Sequence, residues 1–144
     1  MQYLILPLVA MIIAQTAKIF IKSNHKKASL AVITSYAGMP SGHAALVTAL
    51  ATIIGLKQGF LSPLFAISFV LAIIIIRDAV GLRRYLGEHG KILNDLVKDL
   101  KEEPDKPLDY NYPHLLEKIG HTPAQATVGA LIGFAVSLIG FWIM

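Results

Sequence analysis

Two histidines stand in short motifs that open separate apolar segments of this sequence. The first motif, residues 38–45, reads GMPSGHAA and contains His43; the second, residues 120–123, reads GHTP and contains His121. A histidine can act as a nucleophile or pass a proton to a leaving oxygen, and the free N–H groups of a helix start favour anions. If both motifs lie at one membrane face among cations, these residue types predict a phosphate-transfer site.

The first motif also suits an ordinary helix start. Pro40 fits the first turn of a helix, and Ser41 can cap the helix or donate to a phosphate oxygen. Gly42 lets a backbone N–H approach an anion closely. The same residues are equally compatible with a plain capped helix that carries an interfacial His43, so both interpretations stay open at this point.

The composition predicts a membrane protein. Of the 144 residues, 55% are hydrophobic and only 15% are charged, well outside the average soluble domain. Four segments, 3–21, 41–56, 60–76 and 123–143, are predicted to span the membrane, and the second is short and rich in small residues. Apolar residues from Leu86 to Leu100 then recur at helical spacing among charged ones. We therefore expect one all-α domain, residues 1–144, with about four transmembrane helices and an interfacial amphipathic helix.

Several classes of site and partner are excluded or disfavoured. The chain has no cysteine, so disulfides, thiolate nucleophiles and Cys-ligated metals are excluded. Neither a His-Glu-x-x-His motif nor an Asp-rich cluster is present, so no metal and no other cofactor is predicted. The net charge of +4 fits a phosphorylated lipid and anionic headgroups better than nucleic acid, because the charges lie between membrane-length apolar runs. A homodimer is a candidate assembly, since four helices leave an apolar flank open.

The basic residues divide unequally between the two membrane faces, if the four segments cross the membrane in alternating directions. Every Lys and Arg except Lys57 falls on the face where segments one and three end and segments two and four begin. The positive-inside rule places this face in the cytoplasm and both termini outside. The same alternation brings His43 and His121 to one face.

The ordered motifs resemble those of a known superfamily. The PSGH of residues 40–43 is the central signature of the type 2 phosphatidic acid phosphatase and vanadium haloperoxidase superfamily, and the wider order looks like its divergent branch of small membrane proteins. The resemblance covers nearly the whole chain. The matching positions, in order, are Ala14-Gln15 with Lys18, residues 38–43, Asp78-Ala79 with residues 81–84, Leu93-Asn94 and residues 120–123.

The resemblance implies a metal-independent phosphatase of the acid phosphatase type that uses a phosphohistidine intermediate. Its implied substrate is a lipid phosphate or a polyprenyl mono- or diphosphate in the membrane. Carried over by position, His121 is the nucleophile and His43 is the general acid. The candidate phosphate-binding residues are Lys18, Ser41, Gly42, Arg83 and Arg84.

Two motifs depart from the superfamily pattern. There, the Lys is followed seven residues later by Arg-Pro, whereas here His25 stands seven residues after Lys18. There, an Asp four residues after the nucleophile orients its ring, whereas here that position is Gln125. Glu117 and Asp78 are the candidate acids that compensate. Asp78 is the better candidate, because an acidic residue at the end of an apolar span is functional by default.

The alternatives for the remaining charges stay open. Arg83 and Arg84 could bind phosphate in place of the superfamily arginine that this chain lacks. They could instead simply anchor the chain at the membrane interface. Asp78 could form a local ion pair with Arg77. Two functions remain as well: the His43 and His121 pair favours a phosphatase, while Gln125 favours a non-catalytic membrane protein that binds or moves phosphorylated lipid on a retained scaffold.

Overall fold

Helices make up most of the part of the chain that the structure describes, in agreement with the predicted all-α fold. The computed structural model describes residues 1–21, 38–102 and 112–143, and within those ranges it contains no strand. A short 3₁₀ turn, Lys18–Phe20, follows the first helix. The described residues form five α-helices: α1 (Gln2–Ala17), α2 (Gly42–Gln58), α3 (Pro63–Val80), α4 (Leu82–Lys101) and α5 (Pro123–Ile143).

Three helices in the described ranges are long and apolar enough to cross a membrane. They are Gln2–Phe20, Pro63–Lys101 and Pro123–Ile143. The predicted second segment corresponds to α2, whose 17 residues fall short of the ~20 that a full span needs. The predicted third segment begins and ends a few residues later, as α3, so that Arg77 and Asp78 belong to the helix. His25, together with the basic residues between 22 and 37, lies outside the described residues.

The outer surface of α3 is one that a bilayer must cover. Leu64, Ile67, Val70 and Ile74 each expose more than half of their surface. A contiguous apolar surface of this kind is unfavourable in water, whereas acyl chains cover it without cost. This exposure, together with the length of the helices, establishes an integral membrane protein.

The short helix α2 occupies the centre of the bundle and packs against α5. Ala45 and Ala49 of α2 are completely buried. Opposite them, α5 presents small residues one turn apart: a Cβ on Gly133 would collide with the carbonyl of Ala45, and the Ser137 hydroxyl donates to the carbonyl of Ala49 at 2.8 Å. Small residues let two helix backbones approach closely, and the contact places the starts of α2 and α5 at the same end of the bundle.

The helix α4 continues α3 beyond a bend at Gly81 and is amphipathic, as predicted for an interfacial helix. Leu82, Leu86, Leu93 and Leu96 form an exposed apolar stripe along one side, and charged residues occupy much of the rest of its surface. Such a helix lies with its apolar side among the lipid headgroups. The bend therefore brings the charged first turn of α4 back over the end of the bundle where α2 and α5 begin.

Candidate active site at the helix starts

The two histidine motifs are joined through their main chains. The N–H of Ser41 donates to the carbonyl of Gln125 at 3.0 Å, and a Cβ on Gly129 would collide with the main chain of Ser41. Ser41 is fully buried, and its hydroxyl accepts from the N–H of Ala44 at 3.3 Å, which caps α2. The first turns of α2 and α5 are thus fixed side by side.

His121 is held on three sides by main-chain groups. Its side chain is buried, and its own N–H donates to the carbonyl of Ala79 at 2.9 Å. Its ring Nδ1 lies 3.0 Å from the carbonyl oxygen of Gly38. The preceding Gly120 has φ +86°, and a Cβ there would come within 2.7 Å of the N–H nitrogen of Arg84. The ring therefore lies between the first histidine motif and the bend that joins α3 to α4.

The extended segment that leads to His121, residues 112–120, is docked along α4. Asn94 accepts from the N–H of Leu115 and donates to its carbonyl, both at 2.9 Å. The Asn94 amide also donates to the Glu117 carboxylate at 2.9 Å. At Gly87 and Gly90 a Cβ would collide with the main chain of the segment. Gly87, Gly90 and Asn94 thus form the surface of α4 against which the segment before His121 packs.

Five charged or titratable side chains gather at this end of the bundle: Lys18, His43, Asp78, Arg83 and His121. We call them the polar cluster. Lys18 is buried at the end of α1, and the Nε of Arg83 lies 2.6 Å from an oxygen of Asp78. His43 interacts electrostatically with Arg83, Lys18 and Asp78, and His121 does so with Lys18 and His43. Both histidines therefore share one electrostatic environment.

Three other predicted site residues occupy positions around this cluster. Gly42 packs against the Gln15 side chain, to which a Cβ would come within 3.1 Å. Arg84 is exposed and pairs with Glu88 at 3.2 Å. The Glu117 carboxylate, on the docked segment, accepts a hydrogen bond from Asn94 of α4. Gly42 thus lies at the contact between α1 and α2, whereas the ion pair of Arg84 is with a residue outside the polar cluster.

Gln125 helps to shape the turn that carries His121. Its side-chain oxygen accepts from the N–H of Thr122 at 3.0 Å, and its own N–H donates to the Thr122 hydroxyl at 3.3 Å. This reciprocal pair is a capping box, which satisfies N–H groups at the start of a helix. The Gln125 side chain also forms a hydrogen bond with His121. Gln125 thus combines a capping role with contact to the imidazole.

The surroundings of His121 favour its neutral form. Burial lowers the pKa of the imidazole, and the charges of Lys18 and His43 lower it further, while the hydrogen bonds to Gly38 and Gln125 oppose these effects. A neutral imidazole keeps one ring nitrogen with a free lone pair. Within the described ranges, no group of three or more His, Asp or Glu side chains is arranged to hold a metal ion.

Comparison with known proteins matches most of the chain to a family. The chain matches the Divergent PAP2 family over residues 1–136, a range that includes both motifs and the whole polar cluster. It belongs to the Divergent PAP2 family. One relative, "Uncharacterized membrane protein YuiD" of Bacillus subtilis (strain 168), is 37% identical over 142 residues, covering 92% of this chain and 89% of the relative. No solved structure matches the chain.

Sequence reasoning missed the main-chain groups that hold the histidine of this Divergent PAP2 protein. The carbonyls of Gly38 and Ala79 carry no signal in the sequence, because every residue has a carbonyl and only the fold decides where it points. Asn94 belonged to the ordered pattern of matching positions, but its contact with Leu115 was not predicted. The glycines at 87 and 90, three residues apart on a charged helix, were the one available signal of a close backbone contact.

Proposed function

We propose that this Divergent PAP2 protein is a membrane phosphatase that hydrolyses a lipid phosphate or a polyprenyl mono- or diphosphate through a phosphohistidine at His121. The observation that carries the proposal is the polar cluster, in which two histidines, a buried lysine and an arginine share one electrostatic environment. Such cations favour an anionic phosphate, and two histidines can supply both a nucleophile and a proton donor.

The proposed reaction has two steps. In the first, a ring nitrogen of His121 attacks phosphorus with its lone pair, and the bond from phosphorus to the leaving oxygen breaks, while protonated His43 gives its proton to that oxygen. The leaving group is the lipid alcohol for a monophosphate and the lipid monophosphate for a diphosphate. In the second, neutral His43 takes a proton from a water molecule as the water oxygen attacks phosphorus. The bond between phosphorus and His121 then breaks, which releases inorganic phosphate and restores both histidines.

The cations around the two histidines have proposed roles in holding the phosphate. Lys18 supplies a charge from the end of α1, and Arg83 supplies a guanidinium that Asp78 orients at 2.6 Å, leaving its remaining N–H groups for phosphate oxygens. Ser41 and Gly42 present the start of α2, whose free N–H groups favour an anion. Arg84, which is exposed, is assigned to an outer contact with the headgroup.

A cleft beside the polar cluster supports a substrate with an apolar chain. It has a volume of about 920 Å³, lies between α5 and the bend from α3 to α4, and contains Asp78 at its lining. Much of its wall is apolar, including Ile74, Val80, Leu82 and Ala130. Asp78 belongs to both the polar cluster and the cleft wall, so we propose that a lipid places its phosphate in the cluster and its chain in the cleft.

Phosphate release by the purified protein in lipid nanodiscs tests the proposal. We expect release from short-chain and long-chain lipid phosphates. Ala130→Phe should narrow the cleft and raise KM for the long-chain substrate more than for the short-chain one. Ala135→Phe, on an exposed position of the same helix, is the matched control and should leave both KM values unchanged. Equal effects of the two variants would contradict the assignment of the cleft.

A second candidate is a non-catalytic protein that binds or moves phosphorylated lipid. The observation that favours it is the bonding of the His121 ring: among the hydrogen bonds described for that ring, the partners are a carbonyl and an amide, not a carboxylate. Saturable binding of a lipid phosphate without any phosphate release would support this candidate against the phosphatase.

We also propose that the end of the bundle that carries the polar cluster faces the cytoplasm. The support is the distribution of basic residues, all of which except Lys57 belong to that side in an alternating topology. Single cysteines at Gln58 and Glu102 test it in intact cells, because no native cysteine competes. Gln58→Cys should react with an impermeant reagent from outside, and Glu102→Cys should not. The reverse pattern would contradict the orientation.

A further inference from the structure

The acceptor that holds the ring of His121 is a main-chain carbonyl. The Nδ1 atom lies 3.0 Å from the carbonyl oxygen of Gly38, which is a normal hydrogen-bond length. A carbonyl oxygen can only accept, so this bond requires a proton on Nδ1. In a neutral imidazole the other nitrogen, Nε2, then carries the lone pair.

The nearby carboxylates are engaged elsewhere. Asp78 is bonded to Arg83 at 2.6 Å, and Glu117 accepts from Asn94 at 2.9 Å. The side-chain oxygen of Gln125 already accepts from the N–H of Thr122. The position that an acid could occupy next to His121 is therefore filled by neutral acceptors.

The fold fixes both partners of the hydrogen bond between His121 and Gly38. The N–H of His121 is tied to the carbonyl of Ala79 at 2.9 Å. Gly38 lies three residues before Ser41, whose N–H is tied to Gln125 at 3.0 Å. Gly38 has φ +96°, a left-handed conformation that glycine adopts readily and other residues adopt only at a cost. The direction of the Gly38 carbonyl thus depends on that residue being glycine.

We infer that the main-chain carbonyl of Gly38 is the positioning group for His121: it fixes the proton on Nδ1 and leaves Nε2 as the nucleophilic atom. The catalytic meaning of this inference rests on the proposed phosphatase function. When Nε2 forms its bond to phosphorus, the Nδ1 proton stays on the ring, and the positive charge is spread over the imidazole. The carbonyl orients that ring through its dipole and does not take the proton.

The tautomer can be measured on the unmodified protein. Full-length protein with ¹⁵N-labelled histidine, compared with a His121→Gln sample to assign the signals, gives the nitrogen shifts of the neutral His121 ring. We expect Nδ1 to be protonated and Nε2 to be unprotonated. A proton on Nε2 in the neutral ring would overturn the inference, whether or not the protein releases phosphate.

Two glycine variants test the positioning role. Gly38→Ala places a Cβ at φ +96° and should turn the carbonyl away. Gly59→Ala is the matched control, since Gly59 has φ +85° with open space around it and lies at the opposite end of α2. We expect Gly38→Ala to lose the protonated Nδ1 signal and to lower kcat about 10- to 100-fold, the range observed when a metal-binding histidine loses its outer hydrogen-bond partner. We expect Gly59→Ala to retain both the signal and kcat.

The outcomes separate this inference from the proposed function. If Gly38→Ala keeps the wild-type tautomer and kcat, or loses no more than Gly59→Ala does, the positioning role of Gly38 is wrong while the phosphatase proposal stands. If the wild type releases no phosphate from any lipid phosphate, the phosphatase proposal fails, and the wild-type tautomer still decides whether Gly38 fixes the ring. If Gly38→Ala does not fold, the wild-type measurement carries the test alone.

Discussion

The main-chain N–H of Ser41 donates a hydrogen bond to the main-chain carbonyl of Gln125 at 3.0 Å. The bond joins the cap of α2 to the first turn of α5, so the two histidine motifs are brought together by backbone groups. Substituting either side chain leaves the bond available. The site therefore rests on two rigid helix starts, which hold catalytic groups more closely than loops do.

The two histidines should respond differently to the leaving group. His121→Ala should abolish phosphate release from every substrate, because it removes the nucleophile. His43→Ala should slow release from a lipid phosphate by about 10²–10⁴-fold, the usual cost of a lost general acid. An aryl phosphate, whose leaving oxygen needs little protonation, should restore much of the rate of His43→Ala only. The ratio of aryl to lipid phosphate turnover in each variant is the measurement.

The same result for both histidine variants would contradict this division of roles. His89→Ala is the control, since His89 is exposed on α4. It should leave the turnover of both substrates unchanged.

The pH dependence should reflect the neutral form of His121. Burial and the charge of Lys18 lower its pKa below the usual 6.5, and only the neutral ring has a lone pair for phosphorus. His121 should therefore remain neutral, and competent as a nucleophile, to a pH below 6.5, and become protonated only under more acidic conditions. An NMR titration of the His121 ring measures this pKa directly, whereas a pH profile of activity would also contain the ionisation of the phosphate substrate.

A carboxylate at position 125 should raise that pKa. Gln125→Glu keeps an acceptor for the N–H of Thr122 and so retains the capping box. Its negative charge stabilises the imidazolium, and the pKa of His121 should rise by about 1–3 units. The acid limb of kcat/KM should move to higher pH with it. A wild-type pKa above 6.5, or an unchanged pKa in Gln125→Glu, would contradict the electrostatic description of the site.

The docked segment should depend on Asn94. Asn94→Ala removes its hydrogen bonds to Leu115 and Glu117, each of which stabilises the docked segment by about 0.5–1.5 kcal/mol. Residues 112–121 should exchange their amide hydrogens faster, and kcat should fall because His121 loses its support. Asp95→Ala, an exposed neighbour on α4, is the control. Unchanged exchange in Asn94→Ala would show that the segment is held by other contacts.

The contact between α2 and α5 should tolerate no side chain at Gly133. A Cβ there meets the carbonyl of Ala45, so Gly133→Val should destabilise the bundle by about 1–3 kcal/mol. Ala135→Val, at an exposed position of the same helix, separates this collision from the effect of valine on a helix. Unfolding of both variants in mixed micelles gives the difference. Equal stability would contradict the close approach of the two helices.

Much of the fold was predictable because a membrane leaves strong signals in a sequence. The segment predicted at 123–143 is α5, and the amphipathic pattern from Leu86 to Leu100 lies within α4. The predicted end of α3 came too early, because Arg77 and Asp78 end the apolar run without ending the helix. Hydropathy records where lipid contact stops, whereas the helix continues until Gly81 bends the chain.

The site was predictable in its side chains but not in the main-chain bonds that hold them. The order of the motifs and the alternation of the segments predicted that His43 and His121 share one face. Neither could predict that Nδ1 of His121 faces Gly38, since this depends on the path of the chain four residues before α2 begins. The pairing of Asp78 with Arg83 also depends on the bend at Gly81, which has no clear signature beyond the glycine itself.

The central claim is that His121 carries a covalent phosphate during turnover. Rapid acid-free quenching of the protein with ³²P-labelled lipid phosphate, followed by peptide mapping under alkaline conditions that preserve phosphohistidine, tests it most directly. We predict label on the peptide that contains His121, attached at Nε2, and no label in His121→Ala. Phosphate release without any label on His121, or label on His43 instead, would contradict the claim.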